Sequence, residues 1–249
     1  TNQMSVIMCG KIYMLLCCLL CVTWIQASPF EKDSFKTKDG YELSIHFIKH
    51  GTLMLTYRDA VIQIDPVSSY ADYSKLPKAD ILLITHEHGD HLDKKAVDQT
   101  VKEGTVLIAN ESSVKILDKG SVMKNGDKLT PADYLTLEAV PAYNTTPGRE
   151  MYHPKHRDNG YILTLGGMRI YVAGDTEDIP EMATLGDIDI AFIPVNQPYT
   201  MTIDQAVNAA RMINPRILYP YHYGDTDVTQ LKKRLASDKS IDVRIKQLQ

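Results

Sequence analysis

An apolar run, Ile81-Leu82-Leu83-Ile84, is followed at once by Thr85-His86-Glu87-His88-Gly89-Asp90-His91. Four bulky aliphatic residues in a row read as a strand buried on both faces. Three imidazoles and a free carboxylate then fall within six residues of its C-terminal end. A strand–loop–helix junction turns His86 and His88 toward one point, and Asp90 and His91 toward a second. Imidazole and carboxylate are ligands that Zn²⁺ accepts, and a site that keeps one position open activates water. The rigid strand before the motif distinguishes it from a solvated polar loop.

Composition narrows the rest. The chain has 249 residues, a formal charge of −4, 44% hydrophobic and 23% charged residues. That is too apolar for a disordered chain, and the length suits one large or two small domains. The mild acidity gives no reason to expect a nucleic-acid partner. All four cysteines, Cys9, Cys17, Cys18 and Cys21, lie in or beside an apolar run over 12–25 that follows Lys11 and ends near Ala27 and Ser28. This pattern predicts a signal peptide over 1–27, too short to span a bilayer comfortably. A periplasmic or extracellular location follows, with lipid anchoring as a minor variant. The remaining domain, 28–249, keeps no cysteine, so any metal site there uses histidine and carboxylate alone.

The text after the leader alternates strand and helix patterns. Strands are expected at 42–48, 53–57, 60–64, 81–84, 106–108, 134–140, 161–165, 169–173, 188–193 and 216–219. Helices are expected at 93–101, 112–117, 203–213 and 228–235; Ile203, Val207 and Ala210 recur at helical spacing. The order predicts two sheets with helices on their outer faces. One long irregular segment, 142–159, is rich in Pro, Asn, Thr and His, and loops of that length tend to be functional or disordered.

His86-x-His88-x-Asp90-His91 resembles the signature of the metallo-β-lactamase superfamily. His50-Gly51-Thr52 and Ile62-Gln63-Ile64-Asp65-Pro66 resemble its opening strands. Tyr171-Val172-Ala173-Gly174-Asp175-Thr176 is similar to the strand ending in its bridging aspartate, and Tyr221-His222-Tyr223 to its final histidine. The stretches 194–202 and 220–224 resemble a broad, uncharacterised branch of metal-dependent hydrolases. The resemblance implies an α+β fold, a four-layer αββα sandwich, with metals at the edge of the two sheets. A carboxylate at Asp175, expected at a strand end before a helix start, suits two cations about 3.5–4 Å apart. His222 becomes a ligand of the second cation.

The sequence departs from the family pattern at one place. Asn144 stands where the first metal's third histidine is expected. His153 is the favoured replacement, brought back by the loop before it, with Asn144 and His156 as alternatives. A site with only one tightly held metal is a further alternative. Asp65 is expected to support the histidine loop, and His50 to offer a hydrogen bond to a ligand.

The implied function is hydrolysis of an ester, lactone, amide or phosphodiester in a small-molecule substrate, by water activated on two zinc ions, with manganese or iron as alternatives. Asp90 is assigned a catalytic as well as a ligand role, and Tyr199 is expected to stabilise a developing oxyanion. No serine elbow, phosphate-binding glycine loop or dinucleotide fingerprint competes. Two other readings stand beside it: a mononuclear iron dioxygenase on the same scaffold, and a non-catalytic metal-holding protein.

Overall fold

The computed structural model describes residues 29–249, so the expected leader and its four cysteines lie outside the described residues. Two seven-stranded sheets face each other. The first contains β1 (Lys32–Lys36), β2 (Glu42–Lys49), β3 (Thr52–Tyr57), β4 (Ala60–Ile64), β5 (Ile81–Ile84), β6 (Val106–Ala109) and β7 (Ser121–Val122). The second contains β8 (Lys128–Ala132), β9 (Leu135–Ala142), β10 (Asp158–Leu165), β11 (Met168–Val172), β12 (Ile190–Pro194), β13 (Ile217–Tyr221) and β14 (Asp242–Val243). Strands stand side by side in chain order in each sheet. Pairing from β1 to β4 is antiparallel and from β4 to β7 parallel. From β8 to β11 it is antiparallel and from β11 to β14 parallel.

Helices α1 (Lys94–Thr100) and α2 (Glu111–Leu117) follow β5 and β6, while α3 (Ile203–Ile213) and α4 (Thr229–Arg234) follow β12 and β13. Strand β5 shows why four layers form. Ile81 and Leu83 join the central core between the sheets, whereas Leu82 and Ile84 join a second cluster with Val97, Leu107 and Leu117. A period-two strand with both faces apolar needs cover on both sides, and α1 and α2 supply the outer one. The central core is held by Phe47, Phe192 and Tyr219; Phe192 stacks on Tyr219 with centroids 5.0 Å apart. Each such buried ring contributes about 1.5–3 kcal/mol. The predicted αββα sandwich is the observed fold.

The helix expected to begin after Asp175 is not there. Thr176 and Glu177 are buried and committed elsewhere: the Thr176 hydroxyl donates to the Tyr143 carbonyl, and the Glu177 carboxylate accepts from the Thr145 and Thr146 amides. Helical backbone starts later, as a 3₁₀ turn at Pro180–Thr184, with proline at the position where its missing N–H is harmless. The short edge strands β1, β7, β8 and β14 also lie outside the sequence expectation. Their exposed, charged or two-residue character hides the apolar alternation that identifies inner strands. Among the described residues no helix is long and apolar enough to cross a membrane.

Candidate metal centre

One edge of the sandwich gathers the polar residues. His50 lies in the β2–β3 turn, Asp65 follows β4, and the 85–91 stretch follows β5. His153 comes from the β9–β10 loop, Asp175 from the end of β11 and His222 from the end of β13. They form two clusters whose ligand atoms lie within 4.8 Å of one another: His86, His88, His153 and Asp175; and His50, Asp90, His91 and His222. Asp175 reaches both. Its Oδ2 lies 3.4 Å from His153 Nε2, 3.8 Å from His86 Nε2 and 3.2 Å from His222 Nε2, while Oδ1 lies 3.3 Å from His91 Nε2.

These approaches are not hydrogen bonds. The Nε2 atoms of His86, His91 and His222 and Asp175 Oδ1 are buried without a hydrogen-bond partner. Buried polar atoms almost always find partners, so four converging orphans fit a cation among them. The donor set is nitrogen and oxygen only, as histidine-and-carboxylate metal sites require.

Supporting bonds set the histidine tautomers. Asp65 accepts from the Thr85 amide at 2.8 Å and the Thr85 hydroxyl at 2.6 Å, and bonds His91 Nδ1 at 2.8 Å. With its one proton donated to Asp65, Thr85 Oγ1 can only accept from His86 Nδ1, 3.0 Å away. Both rings therefore carry their proton on Nδ1 and turn Nε2 to the centre. Asp158, buried and in ion-pair contact with Arg157, does the same for His153 through Nδ1 at 3.2 Å. His50 Nε2 lies 3.1 Å from Asp90 Oδ2, and its ring packs 3.7 Å from that of His222.

Backbone strain concentrates here. His50, Asp65 and His222 all have left-handed φ values, of 55°, 47° and 45°. Non-glycine residues adopt this region rarely and at a cost, which the His222 amide bond to the His50 carbonyl (3.0 Å) helps to offset. Gly51 is needed for a different reason: a Cβ there would lie 2.6 Å from His91 Cε1.

The electrostatics without a cation follow from the same geometry. Burial pushes His86 well below the ordinary imidazole range. Burial also opposes charge on His91 and His222, but Asp175 outweighs it, lifting His91 well above that range and His222 to about 9. Asp175 and Asp90, though desolvated, are held below the usual carboxylate range by the facing histidines. Without a cation, protonated His91 and His222 thus offset the charge of Asp175 and Asp90.

The structure brings together His86, His88, Asp90, His91, His153, Asp175 and His222. His156 is exposed and outside both clusters. Asn144 is buried, with its Nδ2 donating to the carbonyls of Arg149 and Tyr199 and its Oδ1 unpartnered. Tyr199 is 45% exposed, its ring set edge-on to Tyr152 at 5.1 Å and its hydroxyl without a hydrogen bond among the described residues. The hydrogen bond expected from His50 to a ligand is the one to Asp90, and His50 also stands inside the second cluster; sequence reading did not anticipate that second place. It missed Asp158, masked by the charged loop around it, and Tyr70, half-buried 5.9 Å from His50. Burial and then Asp90 push the Tyr70 hydroxyl up to about 12.

A family model described as a beta-lactamase superfamily domain matches residues 44–222. A crystal structure from Parabacteroides distasonis, described as a metal-dependent hydrolase, is 67% identical, with a TM-score of 0.87, covering 88% of this chain and 100% of that one. A metal-dependent hydrolase from Thermococcus kodakarensis is 29% identical over 215 residues, 80% of this chain and 94% of its own. The fold is shared with Igni18, a metallo hydrolase from Ignicoccus hospitalis, at 24% identity and a TM-score of 0.71, covering 83% of this chain and 95% of that one.

Proposed function

The chain belongs to the beta-lactamase superfamily, and from that premise we propose that it is a metal-dependent hydrolase working with two cations that share Asp175. The observation that carries this is the convergence of two histidine clusters on the two oxygens of one buried carboxylate, with Nε2 of His86, His91 and His222 unspent. His86, His88, His153 and Asp175 would hold one ion; Asp90, His91, His222 and Asp175 the other. Zinc suits a set of imidazoles and carboxylates without thiolates, with manganese and iron as the alternatives.

Bound there, the cations supply Lewis acidity to a carbonyl or phosphoryl oxygen and lower the pKa of water. The chain does the rest. Asp65, Thr85 and Asp158 fix the ring orientations. Asp90, with a side chain 42% exposed, faces the open side, and His50 steadies its Oδ2. The Asp90 carboxylate would orient an incoming water and receive its proton. The substrate is a small ester, lactone, amide or phosphodiester. The proposal includes a cleaved leader over 1–27 and export to the periplasm or cell exterior, supported by the apolar run and small-residue end of that segment.

Elemental analysis of the purified protein tests the centre. The expected result is about two zinc per chain, about one in His153→Ala and close to none in Asp175→Ala. One iron per chain would move the reading to oxygenase chemistry. No bound metal after zinc is supplied would overturn it.

A further inference from the structure

The β9–β10 loop and the 195–202 loop meet beside His153. Asn144 Nδ2 donates to the Tyr199 carbonyl at 2.8 Å, and the Arg149 guanidinium donates to the Gln197 side chain. Gln205 donates to Thr146 at 3.4 Å, and the Thr145 and Thr146 amides bond Glu177, each at 2.7 Å. This bracing holds an apolar surface toward solvent. Met151 is 76% exposed and Tyr199 45%, with the Tyr199 ring edge-on to that of Tyr152. Tyr152 directly precedes His153, and its carbonyl accepts from Arg157 Nη2, an atom 3.5 Å from His88 Nε2. The aromatic pair therefore joins the loop that carries His153 to the loop braced against it.

Two of the three cations beside the pair are ion-paired. Arg157 is paired with Asp158 at 2.7 Å and Glu87 at 3.2 Å, and Lys155 with Glu181 at 3.4 Å. Arg149 has no ion pair among the described residues, and its guanidinium is held in place on the neutral Gln197 side chain. What this rim offers a substrate is two ring faces and a thioether, surfaces suited to a flat or aliphatic uncharged group. An exposed and a half-buried aromatic ring paired across two braced loops are unlike singly scattered surface apolar residues, which need no explanation.

We propose that Tyr152, Tyr199 and Met151 form the wall that receives an uncharged, apolar part of the substrate, making these residues determinants of specificity for hydrophobic acyl or aryl groups. The proposal rests on the reading of His86, His88, His153 and Asp175 as metal ligands. It reassigns Tyr199: its ring face acts, and its hydroxyl does not.

Calorimetric binding of two hydroxamates to the zinc-loaded full-length protein tests it. Acetohydroxamate reports the metal centre alone; benzohydroxamate adds a ring. Wild type is expected to bind benzohydroxamate about three- to tenfold more tightly, the range an aromatic contact supplies. Tyr199→Ala and Tyr152→Ala should bring the ratio toward one, and Tyr199→Phe should keep it. A wild-type ratio of one, or a ratio that survives both alanine variants, overturns the wall while acetohydroxamate binding leaves the metal reading standing. A ratio lost equally in Tyr199→Phe overturns the assignment to the ring face. Failure of both hydroxamates to bind overturns the metal reading, and the wall with it.

Discussion

Asp65 illustrates how a residue that touches no ligand governs one. Fully buried, it satisfies the Thr85 amide, the Thr85 hydroxyl and His91 Nδ1 with two oxygens. Asp65→Asn replaces one acceptor with a donor facing an N–H, so His91 loses its orientation and Thr85 its link to His86. The expected result is about 10–100-fold weaker affinity for the second cation, read by competition with a chelating dye. Unchanged affinity would show that His91 is held by packing alone. Much of this centre was legible in the sequence because its ligands are local: His86, His88, Asp90 and His91 share one loop, and Asp175 and His222 each end an apolar run. His50 was harder. A lone histidine before glycine at a strand turn has no spacing signal, and its place emerges only when the β2–β3 turn meets His222. Choosing among His153, His156 and Asn144 needed the path of a loop, which pattern does not encode.

At the scale of elements, β1 is an edge strand with little apolar content, and ionic contacts attach it. Asp33 accepts from Tyr219 of β13 at 2.5 Å and pairs with Lys246 at 2.7 Å, tying the first sheet to the second and to the C-terminal segment. Partial burial raises the Asp33 carboxyl, but Lys246 and Tyr219 prevail and hold it below its ordinary value of 3.8. The sign follows: a depressed carboxylate stabilises the fold above its unfolded value, and that stability is lost as pH falls through the folded value. Asp33→Asn should therefore destabilise the protein near neutral pH, and the gap to wild type should shrink as pH falls toward about 2. Urea titrations along that series would read it; a gap independent of pH would assign the contact to shape rather than charge. Inner elements were the most legible. The helix expected at 203–213 is α3, whose Thr202–Gln205 capping box and left-handed Asn214 give it sharp ends. Edge strands were not, because half-exposed polar segments carry little periodicity. The helix expected after Asp175 failed because tertiary partners claimed Thr176 and Glu177.

At the scale of the molecule, the two sheets repeat one pattern of ladders, three antiparallel pairings and then three parallel ones, in chain order. Corresponding places carry corresponding duties. Asp65 follows the fourth strand of the first half and Asp175 the fourth of the second; His50 and His153 both sit between second and third strands. Neither half owns a whole cluster. The first joins His86 and His88 to His153 and Asp175, and the second joins His50, Asp90 and His91 to His222. Each ion would thus be a rivet between two half-molecules. The turn 124–127, between β7 and β8 and exposed except at Asn125, is the seam, and a chain cut there should reassemble from its two fragments when zinc is present. Size-exclusion chromatography would show it, and a chelator should drive the halves apart; association indifferent to the chelator would leave the rivets idle. A metal chelator would then act on this protein as a reductant acts on two chains joined by a disulfide.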